Sequence, residues 1–126
     1  MSKYPVLSQA DSEIMEIIWS EKKVSSSDVL AEVEGTLGWS RQTVKTYLDR
    51  LHNKGMLGVE VVSPRVHLYY PLISREDYAA EMAGTYLDKY FGSISHMMAG
   101  LIKKEDVSDE ELDNLEQIIK EYRDKR

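Results

Sequence analysis

The chain has 126 residues, 42% hydrophobic and 30% charged, with a formal net charge of -6. That is the length of one domain, or of one small domain with an appended arm, and a compact fold of this size buries roughly two-thirds of its unfolded surface. With no cysteine, disulfides, thiolate zinc sites and cysteine nucleophiles are excluded.

The first residues, MSKYPVLSQADSE, lack the apolar core of a signal peptide, which predicts a cytoplasmic location. LSQADSEIMEIIWSE then opens a helix: Ser8 caps it, with Asp11 as an acidic capping-box partner. Ile14, Met15, Ile17 and Ile18 supply its buried stripe. In VSSSDVLAEVEG the serines offer an N-cap, Val29, Leu30 and Val33 a short apolar face, and Gly35 a stop. After the turn TLGW, Ser40 caps a third helix that runs to Asn53, with Gly55 as the left-handed residue beyond its end. From there the period changes. MLGVEVVS and HLYYPLI are rich in β-branched and aromatic residues, and Pro64 suits the turn between them, so they form a β-hairpin. Such a ribbon is marginal alone and must pack on the helices.

The remaining residues return to helical spacing. Ser74, with Asp77, caps a helix carrying Tyr78, Ala79, Met82, Ala83, Tyr86, Leu87, Tyr90 and Phe91, which Gly92-Ser93 interrupts. Ile94, Met97, Met98, Leu101 and Ile102 form the next stripe. Ser108 and Glu111 make a capping box for a last helix, with Leu112, Leu115, Ile118, Ile119 and Tyr122 on one side and RDKR frayed at its end. The expected fold is mainly α: a winged helix-turn-helix (three helices plus a β-hairpin wing) over residues 1–73, followed by a C-terminal helical dimerisation arm over 74–126.

The third helix raises the functional question. In WSRQTVKTYLDRLHNKG the apolar residues Val44, Tyr47, Leu48 and Leu51 make one narrow stripe. Opposite stand Gln42, Lys45, Thr46, Asp49 and Asn53, flanked by Arg41, Thr43 and Arg50. Such a face either meets only water or reads DNA. The second helix of a helix-turn-helix enters the major groove, where Gln, Arg, Lys and Thr reach base edges and phosphates. Charge permits this. Residues 74–126 hold eight Lys/Arg and thirteen Asp/Glu, whereas residues 39–70 hold Arg41, Lys45, Arg50, Lys54 and Arg65 against only Asp49 and Glu60. Gln42, Lys45 and Thr46 point most directly outward; Arg41, Thr43 and Arg50 are placed for phosphates or groove walls, as is Lys54 just beyond the helix. Asp49 is an awkward anion there, placed to orient Lys45. Arg65 at the wing tip is either an exposed turn residue or a phosphate or minor-groove contact. Trp19 and Trp39 read as core or helix-docking residues.

The C-terminal stripes exceed what a small winged helix can cover, and a two-fold dimer is the commonest way to bury them. The dimer face is expected among Tyr78, Met82, Tyr86, Met98, Leu101, Leu115 and Ile119. Catalysis finds little support: there is no phosphate-binding glycine motif and no nucleophile elbow. His52, His67 and His96 show no ligand spacing, so no metal or cofactor is expected, and no apolar run is long enough for membrane insertion.

In order along the chain, LSQADSEIMEIIW, WSRQTVKTYLDRLHNKGML, RVHLYYP and SREDY resemble the BlaI/MecI penicillinase repressors: their first helix, their recognition helix with its exit turn, their second wing strand and the start of their dimerisation helix. The resemblance implies a homodimeric bacterial repressor of dyad operators containing TACA/TGTA elements. It also implies release by proteolysis in the C-terminal domain, triggered by a membrane sensor with a metalloprotease domain. The family's cleaved Asn-Phe bond falls by position on Gly100-Leu101, so neither residue type matches. A copper-responsive branch uses Cys-x-Cys pairs, which this chain lacks. The first wing strand, often basic in the family, reads Val59-Glu60-Val61-Val62 here, and non-specific affinity is expected to suffer. The alternative function is a winged helix used as a protein-interaction module, which the acidic balance allows.

Overall fold

The structure, a computed structural model, describes residues 3–126. By its internal contacts the chain divides into two compact units, Met1–Thr85 and Tyr86–Arg126.

In the first unit, helix α1 (Gln9–Glu21) starts where expected: Ser8 Oγ accepts from the Asp11 amide at 3.1 Å, and the Asp11 carboxylate accepts from the Ser8 amide. Val24–Ser25 is a short strand, β1, followed by α2 (Ser26–Glu34), α3 (Arg41–Asn53), β2 (Leu57–Ser63) and β3 (Val66–Pro71). Ser25 and Ser40 cap α2 and α3 through their hydroxyls. Gly35 ends α2 in right-handed conformation, and Gly55 has the positive φ, 84°, that turns the chain from α3 into the sheet. The sheet has three antiparallel strands in the order β1-β3-β2, one more than the expected hairpin. Val24 sits opposite Tyr69 on β3, the residue that Val59 faces from the other side.

Ile14, Met15, Ile18, Val24, Val29, Val33, Val44, Leu48, Leu51, Met56, Leu57, Tyr69 and Ile73 make the core. At the far end of the ribbon Val61, Val62 and Val66 are exposed, which leaves the hairpin projecting as a wing. Leu48 lies at the centre of α3's buried stripe with no exposed surface. Leu48→Ala is therefore expected to destabilise this unit by about 2–5 kcal/mol, read as a fall in the denaturation midpoint.

Helix α4 spans Arg75–Tyr86, with the Ser74 hydroxyl accepting from the Asp77 amide. The sequence reading divides the chain after Ile73, but the compact unit extends to Thr85. Side chains fasten the start of α4 to α1 and the N-terminal segment. Trp19 donates its indole N–H to the Ile73 carbonyl, and Arg75 pairs with Glu16. Tyr78 lies against Trp19, accepts from the Leu7 amide and donates to the Pro5 carbonyl at 2.6 Å. Burial pushes the Tyr78 phenol above its usual range; the Leu7 bond opposes this and the Asp11 charge adds to it, so the phenol keeps its proton.

In the second unit the expected helix through Phe91 gives way to a π-helical turn, Leu87–Phe91, closed by Gly92 at φ 83°. Ser93 caps α5 (Ile94–Glu105), and the Ser108 hydroxyl caps α6 (Asp109–Lys125). Helix α6 includes Arg123–Lys125, where fraying was expected, because cations suit the negative end of a helix dipole. No residue of this unit is buried. Among the described residues, no helix is long and apolar enough to cross a membrane.

Candidate nucleic-acid interface

Helix α3 is held from beneath. Val44, Leu48 and Leu51 are buried against α1, α2 and β2, which leaves Gln42, Lys45, Thr46 and Asp49 exposed on the opposite face. The Thr46 hydroxyl donates to the Gln42 carbonyl at 2.9 Å, so its methyl and remaining lone pair are free to meet a base edge. The Gln42 amide reaches Thr46 only at 3.4 Å. Lys45 is constrained: its ammonium donates to Asp49 Oδ1 at 3.1 Å and to the Tyr69 hydroxyl at 3.3 Å. Those two bonds, Asp49's the larger, raise the Lys45 pKa above 10.5. Since the folded value lies above the ordinary one, the pairing is complete below 10.5 and is lost only as pH rises through the folded value. Lys45 therefore carries its charge throughout the neutral range.

On the flank, Tyr47 stacks on Trp39 with ring centroids 5.1 Å apart, and the Arg50 guanidinium lies 5.3 Å from the Tyr47 centroid. This column confirms Trp39 as a docking residue and holds Arg50 beside the outward face. Arg41 reaches Ser27 at 3.5 Å, too long to bind it firmly. Arg65 is exposed at the wing tip and has no ion pair or hydrogen bond among the described residues. Glu60, the wing anion, is paired with Lys23 at 2.7 Å, and this hydrogen bond, then the charge itself, raises the Lys23 pKa.

Two expected DNA contacts are engaged elsewhere. The half-buried Thr43 has its hydroxyl 3.1 Å from that of Ser40, inside the helix cap. Lys54 reaches back to Asp11 Oδ2 at 3.2 Å, and Asp11 is fully buried with Oδ1 left without a partner. Lys54 thus ties the end of α3 to the start of α1, because a buried carboxylate demands a counter-charge. Lys54→Ala is expected to lower stability on the order of 2–3 kcal/mol while leaving DNA affinity below the melting transition nearly unchanged. A marked affinity loss without destabilisation would restore it as a phosphate contact.

Sequence reasoning missed Tyr69 as a partner of Lys45 and Asp11 as a buried anion. The first depends on strand register and the second on a pairing across 43 positions. Of the expected dimer residues, Tyr78 instead anchors α4 to the N-terminal segment. Met82, Met98 and Leu115 are half-buried, while Tyr86, Leu101 and Ile119 are exposed. Tyr90, Ile94, Ile118 and Tyr122, outside that set, are exposed as well.

A family model described as penicillinase repressor matches residues 7–121. The chain belongs to the penicillinase repressor family. Membership makes it a transcriptional repressor and not an enzyme. The penicillinase repressor of Bacillus licheniformis is 31% identical over 127 residues, covering 100% of this chain and 98% of that protein. The methicillin resistance regulatory protein MecI of Staphylococcus aureus (strain N315) is 28% identical over 114 residues, covering 90% of this chain and 92% of MecI. Among solved structures, the monomeric form of Bacillus licheniformis BlaI in complex with the blaP half-operator is 37% identical with a TM-score of 0.52. That match covers 62% of this chain and 94% of the BlaI chain. The family likeness thus includes a winged-helix fold solved on DNA.

Proposed function

We propose that this penicillinase-repressor family member is a homodimeric repressor that reads a dyad operator through α3 and is relieved by proteolysis in its C-terminal unit. The observation that carries the reading is the outward face of α3, Gln42, Lys45 and Thr46 flanked by Arg41 and Arg50, in a fold similar to a relative solved with half-operator DNA. Lys45 and Thr46 read base edges; Arg41, Arg50 and Arg65 contact phosphate. Dimerisation is the role assigned to the second unit, which has no interior of its own and exposes Tyr86, Leu101 and Ile119 along with Tyr90, Ile118 and Tyr122. A cytoplasmic location fits this function.

The candidate cleavage bond, Gly100-Leu101, lies inside α5 with both residues exposed. A protease acts on extended chain, so α5 must open locally first, and a mid-helix glycine lowers that cost by roughly 0.5–1 kcal/mol relative to alanine. The partner this requires is a sensor-linked protease.

A gel-shift with the TACA/TGTA dyad against a scrambled duplex tests DNA reading. Lys45→Ala or Thr46→Ala is expected to cost roughly 1–3 kcal/mol on the dyad alone, while Arg41→Ala and Arg50→Ala weaken both duplexes alike. Wild-type affinity for the dyad in all four variants would overturn the assignment of α3 and favour a protein-interaction module.

A further inference from the structure

Asp49 is hard to explain by stability or by affinity. It stands half-exposed on a face that must approach a polyanion, where a carboxylate repels phosphate. Its pairing with Lys45 places the cation N-terminal to the anion, the less favourable order along a helix, and exposed pairs of this kind contribute little to stability. Yet the arrangement is built. The Lys45 ammonium is held by Asp49 Oδ1 and by the hydroxyl of Tyr69, a buried residue of the central strand β3, whose backbone pairs with β1 on one edge and β2 on the other. Asp49 Oδ2 carries no hydrogen bond among the described residues.

We propose that Asp49 is a specificity-determining residue of the DNA contact, its free Oδ2 accepting from the exocyclic amine of a cytosine in the major groove. The inference rests on α3 being the DNA-reading helix. Cytosine N4 is the major-groove donor that a carboxylate matches. The same carboxylate keeps Lys45 from swinging to a phosphate at unrelated sequences, so wrong sites lose a cation contact and meet an anion; affinity is exchanged for discrimination. Tyr69 is a positioning residue that holds Lys45, and through it Asp49, in one geometry before DNA arrives.

The test uses the full-length chain. The wild type selects its preferred site from a random-sequence duplex pool. Wild type, Asp49→Ala and Tyr69→Phe are then titrated on that duplex, on the same duplex with the selected cytosine pair changed to T·A, and on a scrambled one. Wild type is expected to lose roughly 5- to 150-fold on the T·A change, and Asp49→Ala far less. Asp49→Ala should also bind the scrambled duplex several-fold tighter, with a log–log salt slope steeper by about one per monomer as Lys45 reaches phosphate. Tyr69→Phe should fall between the two with an unchanged circular-dichroism spectrum. A discriminating wild type whose site lacks cytosine, or an Asp49→Ala variant with wild-type discrimination and slope, overturns this proposal alone. A wild type that selects no sequence overturns the DNA reading and this proposal together.

Discussion

Raising salt from about 50 to about 200 mM is expected to weaken operator binding by about three orders of magnitude, with a log–log slope of about -5. The number follows from which cations are free. Of the five in residues 39–70, Lys54 is tied to buried Asp11 and Lys45 is gripped by Asp49 and Tyr69. Arg41, Arg50 and Arg65 remain: the first makes one long contact, the second stacks on Tyr47 and the third has no polar partner among the described residues. Three phosphate contacts in each of two subunits make six, and each contributes about -0.9 to the slope. Fluorescence anisotropy across a salt series measures it. A slope near zero would remove phosphate neutralisation from the mechanism and leave a protein-interaction surface. A slope well beyond -7 would mean that Lys45 and Lys54 leave their partners on DNA.

Features set by neighbours in sequence were readable before the structure. The capping residues Ser8, Ser40 and Ser74, the stripe of α3 and the left-handed turn at Gly55 each depend on residues a few positions apart. Long-range pairing was not readable. Val24–Ser25 is too short to carry a strand period, so the third strand shows only once β3 is there to pair with it. Lys54 has the chemistry of a DNA contact, and nothing local reveals that a buried carboxylate 43 positions away already holds it, whereas Thr43 lies only three residues from the cap hydroxyl of Ser40 that meets it. Tyr78 shares the stripe of Met82 and Tyr86, yet its hydroxyl meets the backbone of Pro5 and Leu7, more than seventy positions away. The outward residues Gln42, Lys45 and Thr46 were legible because a helix face follows from its period alone.

Ending the chain after Gly100 is expected to abolish dimerisation and to lower operator affinity by on the order of a hundredfold or more, while the winged helix stays folded. The last clause follows from where the core lies: among the described residues, every buried hydrophobic one falls between Ile14 and Ile73. The fastening of α4 to α1 through Trp19, Tyr78 and Arg75 is upstream of the cut as well. What the cut removes is Leu101, the second half of α5 and all of α6, with Leu115, Ile118, Ile119 and Tyr122. The residue count lost is small, but in a unit without an interior these side chains are a large share of the apolar surface that a second copy can cover, with Tyr86, Tyr90 and Ile94 left behind. One winged helix offers few base contacts, so a monomer holds a half-site weakly. Joining two on one axis makes the second contact effectively intramolecular, and removing the joint forfeits that gain without altering a single DNA contact. Sedimentation velocity and gel-shift on residues 1–100 beside the full chain provide the measurement, with circular dichroism to verify the fold. A truncated protein that stays dimeric and binds the dyad as tightly as the intact chain would refute both the dimer surface and proteolysis at Gly100-Leu101 as the means of release.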